Sequence, residues 1–476
     1  MAMRKTKIVA TLGPASSDVE TIKQLICAGM DVARFNFSHG DHREQLGRLQ
    51  ALKQAREELN KPVAALLDTK GPEVRLGRFR GGKAELVEGQ SFTLTTDSLL
   101  GDEKCASVSY KRLPLDVRRG DVILLDDGNI ELCVKSVTGS EIETEVVDGG
   151  TIMDRKGVNL PGVHLNMPYM SEADEQDILF GIKHGFDIIA ASFVRNADDL
   201  LQLREFLDQN GGGHIKVIAK IENAEGVENA GEIIRSCDGI MVARGDMGVE
   251  IPLEEVPVQQ KKLIKRGYLA GKQVITATQM LESMITHPRP TRAEGTDVAN
   301  AIYDGTSAIM LSGETAAGKY PVKAVETMAR IALRTEQDID YKKRFFTESQ
   351  RNHGAENTPD AISHASCTIS YDLNAAALLA ITKTGTTAKL ISKFRPSVPI
   401  IGGAMTDEVM RQLNLSWNVF PIRLDEKMNM DELFAHAVKQ AVEAGYLHRG
   451  ELVIITAGIP LGVAGRTNMI KVHVVE

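Results

Sequence analysis

The chain has 476 residues, 43% of them hydrophobic and 25% charged, a composition that excludes disordered, collagen-like and coiled-coil proteins. At roughly 150 residues per domain, the length suggests about three structural units. With 56 basic and 64 acidic side chains the formal charge is −8, so nothing draws the chain to nucleic acid, and any phosphate chemistry must rest on local basic clusters.

The N-terminus MAMRKTKIVATLGP is basic, but its apolar run is too short for a signal peptide and enters a structured pattern. No run approaches the ~18 apolar residues of a membrane span. Five scattered cysteines without a Cys-x-x-Cys pair argue against a disulfide framework or a zinc site. A cytoplasmic protein with no membrane partner is expected.

Eight apolar runs share one design, each ending in polar residues or Gly before a helical pattern: 7–14, 32–40, 63–71, 187–194, 216–223, 239–248, 273–280 and 307–315. Near-continuous apolar strands alternating with amphipathic helices indicate a parallel sheet covered on its outer face. Eight such units predict a closed (β/α)8 TIM barrel. The first helix is expected to begin at Asp18, with Val19, Ile22, Leu25 and Ile26 on its buried face and Gly29 as its stop.

One connection breaks the rhythm. Between the third and fourth runs, SFTLTTD, DVILLDD, NIELCVKSV and EIETEVVDGG read as strands separated by turns, which predicts a small inserted all-β domain over 72–168. It follows the C-terminal end of a strand, where a barrel builds its active site, so it is placed to act as a lid; a decorative insertion is the alternative. The 248 residues of 1–71 and 169–345 are then close to the ~250 of a barrel. A polar stretch over 342–360 reads as a linker, and 356–476 as a separate C-terminal α/β domain.

In a barrel the polar residues just past each strand face one pocket, and here they include Thr11, Arg34, Asn36, Ser38, Asp68, Lys70, Lys220, Glu222, Arg244, Asp246, Thr278, Ser312 and Glu314. Any one of them can be a helix cap or an ion pair. Glu222 and Asp246 end consecutive strands, so two carboxylates can share a hard divalent cation, magnesium best of all. Lys220, two residues before Glu222, should emerge on the same face, and an ammonium beside a dication suits phosphate or enolate charge. A Schiff-base role needs a depressed lysine pKa, which nearby carboxylates oppose. Arg34 and Arg75 offer planar donor forks, and Asn36, Ser38, Asp68 and Thr69 offer oxygens for a hard cation; turn capping accounts for these positions equally. In the C-terminal part, Thr382, Lys383, Thr384, Gly385, Thr386 and Thr387 join a strand to a helix with four hydroxyls, a plausible phosphate cradle or a threonine-rich cap.

These residues stand in motifs that resemble the pyruvate kinase family over essentially the full length: Arg-Phe-Asn-Phe-Ser-His-Gly (34–40), Asp-Thr-Lys-Gly-Pro-Glu (68–73), Lys-Gly-Val-Asn-Leu-Pro-Gly (156–162), Lys-Ile-Glu-Asn (220–223), Ala-Arg-Gly-Asp (243–246), Ile-Thr-Ala-Thr-Gln-Met-Leu (275–281), His-Pro-Arg-Pro-Thr-Arg-Ala-Glu (287–294) and Leu-Ser-Gly-Glu-Thr (311–315). The resemblance implies phosphoryl transfer from phosphoenolpyruvate to ADP, giving pyruvate and ATP in glycolysis. It implies Mg2+ (or Mn2+) on Glu222 and Asp246, and K+ on Asn36, Ser38, Asp68 and Thr69. Carried over by position, Arg34 and Lys220 meet the phosphoryl group, Gly245, Asp246 and Thr278 border the enolpyruvate, and Thr278 belongs to the relay that protonates the enolate. Asn36, His39, Arg75 and Lys156 lie on the nucleotide side. Glu73 stands where potassium-independent relatives carry lysine, so a potassium requirement is expected. Residues 382–387 and 457–468 resemble effector segments for a sugar phosphate or a nucleotide, and the family suggests a homotetramer. The competing readings are a metal-dependent pyruvate-enolate aldolase, which gives the insert, Arg75 and Lys156 no place, and a non-catalytic metabolite sensor.

Overall fold

The computed structural model describes residues 3–351, 357–427, 429–460 and 466–476. Eight parallel strands close on themselves: β1 (Lys7–Thr11), β2 (Val32–Asn36), β3 (Ala64–Asp68), β4 (Ile188–Ala191), β5 (Lys216–Ile221), β6 (Gly239–Ala243), β7 (Gln273–Ala277) and β8 (Ala308–Leu311). Each pairs with its neighbours in sequence, and β8 returns to β1 with Lys7 opposite Ala308. Because both faces of each strand are covered, successive residues alternate between two apolar environments rather than between core and water. Val9, Val32, Leu66, Ile218 and Ile275 fill the barrel, while Ile8, Ala33, Leu67, Val217 and Val274 face the helices. The helix Val19–Ala28 starts at Asp18, whose carboxylate accepts the Thr21 amide, and stops at Gly29, where φ is +122°.

Between β3 and β4 the chain builds two further sheets. One has seven strands, and its members Val74–Arg75 and Gly157–Asn159 come from opposite ends of the insert and pair with each other. Phe92, Leu94, Ile123, Leu132 and Ile142 belong to a core of its own. A helical turn at Leu113–Asp116 and a 3-10 turn at Arg80–Gly82 interrupt the β structure that the sequence predicted.

The polar stretch expected to be a linker is instead mostly helical over Tyr341–Arg351. Phe345 is the reason, since it is buried among Tyr371, Phe394 and the apolar cluster of the last sheet; one buried aromatic in a charged segment anchors a helix that average polarity does not reveal. The rest of that stretch includes 352–356, which lie outside the described residues, as does position 356, the expected start of the C-terminal unit.

The last sheet orders Val419–Arg423, Ile400–Ala404, Ala377–Thr382 and Leu452–Gly458 in parallel and adds Thr467–Val474 antiparallel at one edge. It sits against the N-terminal ends of the barrel strands. Leu415 enters the barrel's interior cluster, Arg411 Nε donates to Asp187 Oδ1 at 2.7 Å, and the Lys7 ammonium donates to the Val419 carbonyl at 2.6 Å. The other rim, where the strands end, faces the insert.

Candidate active site

Asn36 and Asp68 are register partners at the ends of β2 and β3. Just below Asn36, Arg34 donates from Nε to Asp68 Oδ2 at 2.6 Å and from Nη1 to Thr11 Oγ1 at 3.0 Å. Lys220, near the end of β5, brings its ammonium to 3.0 Å from Asp68 Oδ1, 2.8 Å from Glu222 Oε1 and 2.7 Å from Ser192 Oγ. Glu222 is fully buried, and its Oε2 accepts the Phe193 amide at 2.7 Å. The two-residue spacing thus places ammonium and carboxylate together, as the strand geometry requires.

The charges here do not balance pairwise. Burial raises the Asp68 carboxyl, but Arg34 and Lys220 outweigh it and hold the group below its ordinary range. Burial also lowers the Lys220 ammonium, and Asp68, Glu222 and Asp246 overcome that, leaving it firmly protonated. Glu222 is different: burial, with Asp246 and Asp68 adding to it, pushes its carboxyl up to about 8 against the pull of Lys220. Its Oε1 lies within ion-pair distance of Lys220 but has no aligned hydrogen bond. A buried, under-neutralised carboxylate oxygen beside a second acid is what a hard divalent cation would relieve. Among the described residues no three His, Cys, Asp or Glu converge to hold a metal unaided.

Thr278 follows β7 with φ +68°, and Gln279 has φ +54°, a conformation that is uncommon for β-branched residues. The local fold holds it there. Arg244, anchored on Asp297 at 2.7 Å, donates to the carbonyls of Thr278 at 2.7 Å and Ala277 at 3.3 Å. The Thr278 hydroxyl donates to the Ala277 carbonyl and accepts the Gly245 amide at 2.8 Å. Gly245 and Thr278 therefore form one wall, and a β-carbon on Gly245 would meet that hydroxyl at 3.3 Å.

A cavity of about 600 Å³ opens between barrel and insert, lined by Arg34, Asn36, Ser38, His39, Lys220, Glu222 and Asp246 from the barrel side and by Arg75 and Lys156 from the insert. Asp68 and Thr69 lie buried behind it. Arg75 is fixed by Glu73 at 2.7 Å and by the Arg155 carbonyl at 3.1 Å, while Lys156 pairs with Asp126 at 2.7 Å. None of residues 382–387 lines this cavity. In that loop Gly385 takes φ +84°, Lys383 and Thr384 are exposed, and the Thr384 and Thr386 hydroxyls are 2.9 Å apart. Thr382 and Thr387 are buried, and Thr387 bonds Thr467 at 2.8 Å. Of the second effector-like segment, 461–465 lie outside the described residues.

Comparison with known proteins agrees with the geometry. Residues 3–325 match the family model described as pyruvate kinase, barrel domain, and 360–473 match pyruvate kinase, alpha/beta domain. A pyruvate kinase of Clostridium acetobutylicum is 49% identical over 475 residues, covering all of both chains, and one of Sporosarcina psychrophila is 51% identical over 475 residues, covering 99% of this chain and 81% of the relative. The chain belongs to the pyruvate kinase family. A crystal structure of the pyruvate kinase from Cryptosporidium parvum superposes with a TM-score of 0.94 at 40% identity, covering 99% of this chain and 96% of that one. Like other pyruvate kinases, the enzyme is a phosphotransferase of glycolysis, with phosphoenolpyruvate and ADP as substrates and pyruvate and ATP as products. The aldolase and sensor readings are set aside. No helix among the described residues is long and apolar enough to cross a membrane.

The sequence reading missed Ser192, whose hydroxyl accepts from Lys220, as well as Asp126, Asp127 and Glu250, which line the cavity. Ser192 was within reach, because it is the first residue past β4 and the strand-end rule that selected the others selects it too. The acids of the insert had no such signal.

Proposed function

We propose that phosphoryl transfer takes place in the cavity above Lys220, with the inserted domain over 72–168 closing on the barrel of 1–71 and 169–345. The observation that carries this is the Lys220 ammonium, buried and protonated beside the under-neutralised Glu222. A phosphoryl group in flight needs positioning and positive charge more than it needs a nucleophile. Arg34 and Lys220 supply that charge on the substrate phosphate. Gly245, Asp246 and Thr278 border the enolpyruvate, and the Thr278 hydroxyl, oriented by the Ala277 carbonyl and the Gly245 amide, belongs to the relay that delivers a proton to the enolate carbon. Asn36, His39, Arg75 and Lys156 receive the nucleotide, so that closure of the insert brings two cations to ADP.

Magnesium or manganese held by Glu222 and Asp246 would act as a Lewis acid toward phosphoryl and enolate oxygens. Potassium would be held by the oxygens of Asn36, Ser38, Asp68 and Thr69, a donor set suited to a hard cation. In the C-terminal unit over 356–476, the loop Thr382–Thr387 is the proposed site for a sugar-phosphate or nucleotide effector, with Lys383, Thr384 and Thr386 as outward donors. A cytoplasmic homotetramer completes the proposal. Steady-state ATP formation from phosphoenolpyruvate and ADP tests it, with magnesium omitted, potassium replaced by sodium and sugar phosphates added in turn. Undiminished turnover without divalent metal would overturn the roles of Glu222 and Asp246.

A further inference from the structure

Among the described residues the Lys220 ammonium donates an aligned hydrogen bond to Ser192 Oγ at 2.7 Å, its shortest polar contact, while Asp68 and Glu222 pair with it at 3.0 and 2.8 Å. The carboxylates neutralise the charge, and the serine gives it a direction. An ammonium has three donors, so one fixed by Ser192 sets the cone on which the other two turn toward the cavity. Ser192 is itself locked: its Oγ reaches the Thr69 carbonyl at 2.7 Å and Asp68 Oδ1 at 3.2 Å, and its amide donates to Thr69 Oγ1 at 3.1 Å.

Its backbone is wedged between the two ends of the insert. On the outgoing side Gly71, at φ +72°, passes so close that a β-carbon would lie 2.8 Å from the Ser192 carbonyl oxygen. On the returning side the buried Tyr169 hydroxyl donates to that same oxygen at 3.2 Å. Three residues on, Arg195 donates to the carbonyls of Leu165 and Met167 at 3.1 and 3.0 Å. One short loop therefore touches both ends of the insert, the ammonium and, through the Phe193 amide, Glu222.

We propose that Ser192 is a positioning residue for Lys220 and that its carbonyl ties the attitude of the inserted domain to the direction of that ammonium. The inference rests on Lys220 facing the transferred phosphoryl group. In Ser192→Ala the charge stays and its orientation is lost, so ground-state attraction for phosphoenolpyruvate persists while alignment in the transition state does not. A lost hydrogen bond to a charged group corresponds to a fall in kcat of about ten- to a hundred-fold, with KM for phosphoenolpyruvate within about three-fold and a thermal midpoint lower by only a few degrees, the effect of losing the buried bond to Thr69. Ser192→Thr, which keeps the hydroxyl, recovers most of the loss. Tyr169→Phe, which keeps the ring, lowers kcat on its own and couples to Ser192→Ala in a double-mutant cycle. Wild-type kcat in Ser192→Ala, or a loss that follows the thermal midpoint and is not restored by Ser192→Thr, overturns the positioning role; additive effects of Ser192→Ala and Tyr169→Phe overturn the link to the insert. Lys220→Met separates the layers: turnover that survives it sinks the site reading, whereas an inactive Lys220→Met beside a fully active Ser192→Ala sinks this inference alone.

Discussion

Replacing Lys220 by Met removes one positive charge from the centre of the site and leaves a stem of nearly the same volume. Three protein oxygens surround the ammonium at 2.7 to 3.0 Å, so a phosphoryl oxygen that takes up one of its donors approaches to about the same distance. With an effective dielectric constant of about 20, one charge at ~3 Å is worth about 5 kcal/mol, and if most of that is realised in the transition state the loss in kcat is about a thousand-fold. The fold should survive, because Asp68 keeps Arg34 at 2.6 Å. Glu222 is already pushed up to about 8 against the pull of Lys220, and losing that pull raises it further, so in the metal-free enzyme it takes a proton and no uncompensated charge is left buried. The assay is ATP formation at saturating phosphoenolpyruvate, ADP and divalent metal, read beside the thermal midpoint. A folded Lys220→Met enzyme that keeps more than about a tenth of wild-type kcat would refute the reasoning, since an effect that small is about what a single neutral hydrogen bond supplies.

The buried Lys7 ammonium beneath the barrel is pushed down to about 8, chiefly by burial, whereas in the unfolded chain it titrates near 10.4. Its penalty is therefore complete below pH 8 and relieved as pH rises toward 10, because over that window the unfolded chain binds more protons. Lys7→Met lacks this dependence, so its stability advantage over wild type is expected to shrink by about 2 kcal/mol between pH 7 and 9.5; a constant gap in unfolding free energy would exclude the effect. Gly71→Ala drives a β-carbon toward the Ser192 carbonyl at a positive φ and should lower kcat several-fold at this end of the insert; a wild-type rate would mean that end has slack. Thr384→Glu with Thr386→Glu should blunt activation by anionic sugar phosphates through like-charge repulsion, and an unchanged activation curve counts against that loop. Replacing potassium by sodium at constant magnesium should lower turnover, and equal rates in the two salts would remove the monovalent site.

Lys220 and Glu222 could be read as a pair because alternate residues of a strand share a face, and Asp246 because adjacent barrel strands end side by side. Ser192 escaped although the same rule reaches it, and Asp126 and Asp127 escaped because no rule of sequence says which turn of a separate β domain will hang over a barrel mouth. The helix at Tyr341–Arg351 escaped for a different reason: its hold is the burial of Phe345 against residues of a distant segment, and a polar average hides one anchoring ring.

The order of apolar runs and turns by itself determined a barrel, an insertion and a second α/β unit, since the periods of strand and helix are local properties of the chain. It also determined which charged residues stand at the strand ends. Tertiary structure alone decided how those charges share one another. That Glu222 keeps an oxygen without an aligned bond while Asp68 is doubly countered, that Thr278 is held at positive φ by Arg244, and that one serine lies between the ammonium and both ends of the insert all depend on burial and on distances of about 3 Å between segments far apart in sequence. Electrostatic strength varies with both, and neither is written in the order of residues.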